Sequence, residues 1–137
     1  MRISHAIAAL AGVVLIISCG CDPYTGDYQS AQEIAAFQTV KIIGFAQTNY
    51  RIEHGQYATS LGALGSLIPA GLAPERGGYR YTLQGSQSGF VATAVPIVRG
   101  SYTRLSFYED ATSLIRVSRG PEPANAYSPE FGKGPGK

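Results

Sequence analysis

The chain has 137 residues, with 17 glycines, 8 prolines, 9 tyrosines and no tryptophan, a length that suits one domain. Eleven Lys and Arg against nine Asp and Glu leave a net charge of +2. The basic residues are scattered, which excludes the basic stripe of a nucleic-acid-binding domain. Cys19 and Cys21 are the two cysteines; they stand too close for an ordinary disulfide with each other and form no C-x-x-C metal motif.

Residues 1–18 read as a signal peptide. Arg2 supplies a positive charge, Ala6 to Ile17 form an apolar run, and small Ser18 precedes Cys19. A twelve-residue run falls short of the roughly 20 needed to cross a bilayer. Ile16-Ile17-Ser18-Cys19 resembles the lipobox of bacterial lipoproteins. That resemblance implies cleavage before Cys19, lipid on its sulfur and attachment to a membrane through the acyl chains. Gly20 after the cysteine implies an outer-membrane or cell-surface address in the bacterial envelope. The other reading is an ordinary secretory signal. A mature chain starting at Cys19 would leave Cys21 as an odd thiol, open to pairing between chains, to a second acyl group, or to no role.

Residues 19–29, Cys-Gly-Cys-Asp-Pro-Tyr-Thr-Gly-Asp-Tyr-Gln, are rich in turn formers and read as a lipidated tether. The folded domain is expected over 30–119. Ser30-Ala31-Gln32-Glu33 fits a capping box. Apolar residues at Ile34, Phe37, Val40, Ile43 and Tyr50, widened by Ile42, Phe45 and Ile52, then follow a helical period. Gln38, Lys41 and Gln47 fall on the expected polar side. The helix is expected from about Gln32 to His54, with Gly55 as its C-cap. Ser60 is expected to cap a short helix burying Leu61, Leu64 and Leu67. Pro69 to Gly78 reads as a long loop.

After Gly78 the period becomes two. Tyr79–Leu83, Phe90–Val95, Arg104–Tyr108 and Leu114–Val117 read as strands, and Glu109-Asp110 opens a tight turn. Connections this short require antiparallel neighbours. The expected fold is α+β: one long N-terminal helix packed on an antiparallel sheet of three or four strands. Residues 120–137 contain several breakers and little to bury, and read as a flexible tail whose anchors, Tyr127 and Phe131, would dock on a neighbouring subunit.

The helix end Thr48-Asn49-Tyr50-Arg51-Ile52-Glu53-His54-Gly55-Gln56-Tyr57, followed by Leu61-Gly62-Ala63-Leu64, resembles bacterial type IV pilins and type II secretion pseudopilins. Gly78-Tyr79-Arg80-Tyr81, Phe90 to Pro96, and Ser106-Phe107-Tyr108-Glu109-Asp110 through Ile115-Arg116 continue the likeness in order and spacing over about residues 31–117. The resemblance implies a pilin-like head and a structural or assembly role. One departure is large: the family's leader ends in a glycine followed by a long apolar half-helix with a glutamate at its fifth position. Here Val-Val-Leu-Ile-Ile follows Gly12, and Gly20 and Pro23 interrupt the run.

Catalytic chemistry finds little support. His54 is the only histidine after the leader and reads as a charge at a helix C-terminus. No serine sits in a nucleophile elbow, no phosphate-binding glycine loop occurs, and Glu109-Asp110 lacks the alternating oxygen ligands of a calcium loop. No catalytic residue, cofactor or metal is expected. Partners are a membrane, through lipid on Cys19, and either further copies of the chain or other envelope proteins. A lipid-anchored binding module for a protein or glycan is the alternative, with the tyrosine-rich strands as its face.

Overall fold

The computed structural model describes the backbone of residues 23–70, 72, 74–97 and 104–133. Helix α1 (Pro23–His54) is followed by a four-residue helix α2 (Leu61–Leu64) and a 3₁₀ turn (Gly65–Leu67). Five strands complete the domain: β1 (Glu75–Arg76), β2 (Tyr79–Gly85), β3 (Phe90–Pro96), β4 (Leu105–Asp110) and β5 (Ile115–Arg119). They form one antiparallel meander in the order β1-β2-β3-β4-β5. The fold is α+β, with one helix on a sheet of five strands rather than the three or four expected.

The extra strand is β1, which lies where the sequence suggested a loop. Gly77 and Gly78, at φ +59° and +81°, make the two-residue turn that joins Arg76 to Tyr79. Positive φ at both turn residues suits the right-handed twist of a hairpin, and glycine adopts it without strain.

Helix α1 starts earlier than expected. Pro23 is its first residue, where a missing N–H costs nothing. The backbone is already helical through Ser30, so Ser30-Ala31-Gln32-Glu33 is not a capping box, and the latter part of the proposed tether, 23–29, is helix. Glu33 instead reaches across to the sheet, where its Oε1 accepts the Leu105 N–H at 3.0 Å. The C-terminus follows expectation: Gly55 takes φ +76°, and its N–H donates to the Arg51 carbonyl. Ser60 caps α2, its Oγ accepting the Ala63 N–H at 3.2 Å.

Alternation places one face of each strand under the helix. Tyr79, Tyr81 and Leu83 of β2, Phe90, Ala92 and Ala94 of β3, and Phe107 of β4 are buried there. Ala36, Val40, Ile43 and Ala46 of α1 descend onto them. The small side chains of Ala92 and Ala94 let the helix settle close to the middle of the sheet. Ile34, Phe45 and Ile52, assigned to the core-facing stripe by periodicity, are instead exposed. Gln47, assigned to the polar side, is fully buried. Its Nε2 donates to the Ala58 carbonyl at 2.8 Å, and its Oε1 accepts the Ala58 N–H at 2.7 Å. The side-chain amide thus completes both main-chain bonds of Ala58. Gly85 meets the same segment so closely that a Cβ there would strike the Ala58 carbonyl.

The flexible-tail expectation is corrected for residues 120–133. The Ser118 Oγ donates to the Glu122 carbonyl, and the Ala124 N–H donates to Ser106 Oγ at 2.8 Å, covering a buried serine on the far side of β4. The chain then returns along β5: Val117 N–H donates to the Pro129 carbonyl and Phe131 N–H to the Ile115 carbonyl. Arg116 and Glu130 form an isolated antiparallel bridge. The Phe131 ring lies 4.6 Å from that of Phe37 and 6.0 Å from that of Phe107. A few backbone bonds and one aromatic anchor thus fasten a segment poor in apolar residues.

Two measurements check this packing. Ile43→Ala should cost about 2–5 kcal/mol in chemical denaturation, whereas Ile52→Ala, the same chemistry on the exposed side, should cost well under 1 kcal/mol. Equal losses would mean that α1 is rotated from the orientation described. Deleting residues 121–137 should destabilise the monomer by about 1–3 kcal/mol, a drop of roughly 5–15 °C in Tm, because the Phe131 contacts and the Ser106 partner go together. A melting temperature indistinguishable from that of the full chain would leave the segment outside the cooperative unit.

Candidate functional site

The residues singled out in the sequence do not converge. Cys19, Cys21 and the signal peptide lie outside the described residues. Tyr127 is 96% exposed, with its N–H bound to Asn125 Oδ1, and so remains available to a neighbour. Phe131 packs against Phe37 and Phe107 of its own chain but stays 46% exposed, so the exposed part of its ring can still meet a neighbour. His54 lies in the last turn of α1, its ring 4.1 Å from that of Tyr50 and its Nε2 3.9 Å from Glu53.

Glu109 and Asp110 separate into different roles. Both belong to β4 rather than to a turn. Asp110 Oδ1 accepts the Thr112 N–H at 2.9 Å and organises the β4–β5 connection. Glu109 faces the other way, into the helix–sheet interface, and is 4% exposed. It sits between Ala92 of β3 and Ile115 of β5 and directly beneath Gly44 of α1. A Cβ at Gly44 would collide with the carboxylate, so the glycine is a notch that the glutamate fills. Glu109 Oε2 has no hydrogen-bond partner among the described residues. Burial, reinforced by neighbouring Asp110 and only partly opposed by Lys41, pushes the Glu109 carboxyl up to about 7.

A second polar group lies at the other end of the interface. Tyr79 donates its hydroxyl to the Leu105 carbonyl at 2.8 Å, next to the Glu33 contact. Gln32 Oε1 and Arg104 Nε are buried near Gly78 without hydrogen-bond partners among the described residues. Beside them, an open groove of about 400 Å³ runs between α1 and the β1–β2 hairpin. Ala35, Thr39 and Ile42 form one wall, Leu72 and Tyr81 the other, and Arg76 is the single charged group lining it. Burial raises the Tyr81 hydroxyl above its ordinary range, so it stays protonated and can donate.

No protein family, curated protein or solved structure matches the chain. Among the described residues no three His, Cys, Asp or Glu side chains gather closely enough to hold a metal ion. No described helix is long and apolar enough to cross a membrane.

Sequence reasoning missed the burial of Glu109, although a signal was present. The alternation that places Leu105 and Phe107 inward continues through residue 109 in the same register. Gln47 carried no such signal, because its burial follows from main-chain bonds made eleven residues away.

Glu109 gives the domain a definite response to pH. The folded carboxyl titrates higher than its unfolded counterpart, so the stability it contributes is full below about pH 4.5 and is lost as pH rises through 7. At about 1.4 kcal/mol per pH unit of displacement, the loss is roughly 3 kcal/mol. Glu109→Gln should remove this dependence and stabilise the protein at pH 8. Denaturation midpoints that run parallel for the two proteins from pH 4 to 8 would contradict the assignment.

Proposed function

We propose that the protein is a non-enzymatic cell-envelope lipoprotein whose pilin-like head serves as a structural or assembly subunit of a pilus, filament or secretion-type complex. The observation that carries this reading is the position of α1. A 32-residue helix begins four residues after Cys19 and lies along an antiparallel meander. An anchor on Cys19 would hold the start of that helix at the membrane and project the sheet away from it. The resemblance to pilins and pseudopilins over about residues 31–117 supports the same reading. The lipobox-like leader gives the anchor, and replaces the apolar half-helix by which pilins are held together.

A lipid-anchored module binding a protein or glycan is the second reading. It is favoured by the groove between α1 and the β1–β2 hairpin, with its aromatic, hydroxyl and guanidinium groups. Imaging of isolated surface material separates the two: filaments containing the chain favour the first, a detergent-soluble monomer the second.

The anchor has its own test. Mass spectrometry of the mature N-terminus should find a diacyl or triacyl group on Cys19, since one acyl chain gives only marginal attachment. Cys19→Ser should move the protein from the membrane to the soluble fraction. A Cys19→Ser protein that still sediments with membranes would eliminate lipidation as the means of attachment.

A further inference from the structure

Strand β1 holds a cation that forms none of the salt bridges among the described residues, Arg76. Arg76 lies directly opposite Tyr79, and Glu75 opposite Arg80. Residues opposed in this way project from the same face of a sheet. Glu75 and Arg80 therefore share the outer face, where Arg80 Nε and Nη2 donate to the Glu75 carboxylate at 3.0 and 2.7 Å. Arg76 stands instead on the inner face with Tyr79 and Tyr81, and is exposed. Its guanidinium acts electrostatically on the Tyr81 hydroxyl, which also meets Thr39 of α1. Polar groups from β1, β2 and α1 thus converge on the groove described above, and among the described residues no acid lines it. The rest of the lining is largely aliphatic, with Ala35 and Ile42 on α1 and Pro69 and Leu72 beyond it. An apolar cleft with a few convergent polar groups is the usual form of a ligand site.

We propose that this groove binds a short peptide segment of a partner protein through a carboxylate, held by Arg76 and the Tyr81 hydroxyl, with an adjoining aliphatic side chain against Ile42 and Leu72. The proposal rests on the second reading above, a lipid-anchored binding module, and names its ligand class. Charge selects the carboxylate. Arg76 is the single charged group lining the groove, and a guanidinium pairs with a carboxylate through two parallel hydrogen bonds. Tyr81 adds a neutral donor beside it. The lining disfavours a sugar, which packs on an open aromatic face: Tyr81 is the one ring lining the groove among the described residues, and it is 4% exposed. Gln32 and Gln38 disfavour a fatty acid. An acyl chain would leave their side-chain amides unpaired at the contact, whereas main-chain N–H and C=O groups pair with them. Gln32 Oε1 already lacks a partner among the described residues, and a turn of its amide would offer it to a peptide N–H. The carboxylate has two sources in a peptide, an Asp or Glu side chain and the chain end.

Amide NMR titration of the full chain with three synthetic peptides tests this. They are acetyl-Ala-Leu-Val with a free carboxylate end, the same peptide with its end amidated, and amidated acetyl-Ala-Leu-Asp-Val. At least one of the two acids should shift the amides of Thr39, Leu72, Arg76 and Gly77. The neutral peptide should bind at least about tenfold more weakly, the worth of one charged hydrogen bond. Comparing the two acids tells a chain-end carboxylate from a side-chain one. Arg76→Gln should erase the preference for the acid and Tyr81→Phe should reduce it. Circular dichroism and melting should stay nearly unchanged, because Arg76 is exposed and the Tyr81 ring is kept. Arg80→Gln, which removes a charge from the opposite face of the same hairpin, should bind as the wild type does. No shift with either acid at millimolar concentration, or equal affinity for the neutral peptide, would overturn the proposal. So would Arg76→Gln that binds the acids as before but self-associates, since Arg76 would then only guard the β1 edge. Decanoate or chitotriose shifting these amides where the peptides do not would overturn it as well. A chitotriose response would leave the binding module standing, whereas filaments in isolated surface material would end the module reading whatever the titration shows.

Discussion

The seating of α1 on the middle strands is the contact from which the rest of the molecule follows. Ala92 and Ala94 leave the centre of the sheet low, and Ala36, Val40 and Ile43 fill the space. The larger residues stand at the sides of this contact: Tyr79 and Tyr81 on β2, Phe107 on β4. Small residues of β3 thus lie in the same buried cluster as aromatic residues of β2 and β4, which gives the interface its shape. With α1 seated there, Gln47 points inward, and it is accommodated because Ala58 offers it both a donor and an acceptor. Burial of a side-chain amide is tolerable only on such terms.

Glu109 is the exception to this economy. It occupies the row of Leu83 and Ala92, where an apolar residue would cost nothing, and Gly44 gives up its side chain to make room. One carboxylate oxygen is left without a partner among the described residues. A site that sacrifices helix propensity above it and solvation within it weakens the joint between α1 and β4. The joint is strongest when the carboxyl carries its proton, so the same contact that organises the fold is also the one most sensitive to the acidity of the surroundings.

The sequence made parts of this structure plain and hid others, for physical reasons. Strands β2 to β5 were visible because a meander is local: each strand alternates and each connection is short. The helix was visible, but not its orientation. Apolar residues lie on both of its sides, so that Ile34, Phe45 and Ile52 compete with Val40 and Ile43 for the core in any periodicity count. Hydropathy could not reveal Gln47, whose partners are main-chain atoms. Glycine pairs punctuate loops and hairpins alike, and only the pairing of Glu75 and Arg76 with β2 distinguishes them. Residues 120–133 looked structureless because their attachment depends on two backbone bonds, the Ser106 and Ser118 hydroxyls, the Arg116 guanidinium and a single ring. Of the candidate site, the sequence offered Cys19 and the aromatic residues of the tail, while the buried carboxylate and the groove beside α1 required the fold to be seen.

The contact between Phe37 and Phe131 joins residues 94 positions apart, farther than any strand pairing of the meander, where each strand meets its neighbour in the chain. Contacts this distant in sequence form slowly, because a long loop must close before any gain is made. A chain delivered amino end first can assemble its meander strand by strand, yet one flank of the Phe37 and Phe107 rings stays open until Phe131 emerges. During that interval the nascent domain presents an unsaturated aromatic edge, and it is then that a chaperone, or another unfinished copy, would find it.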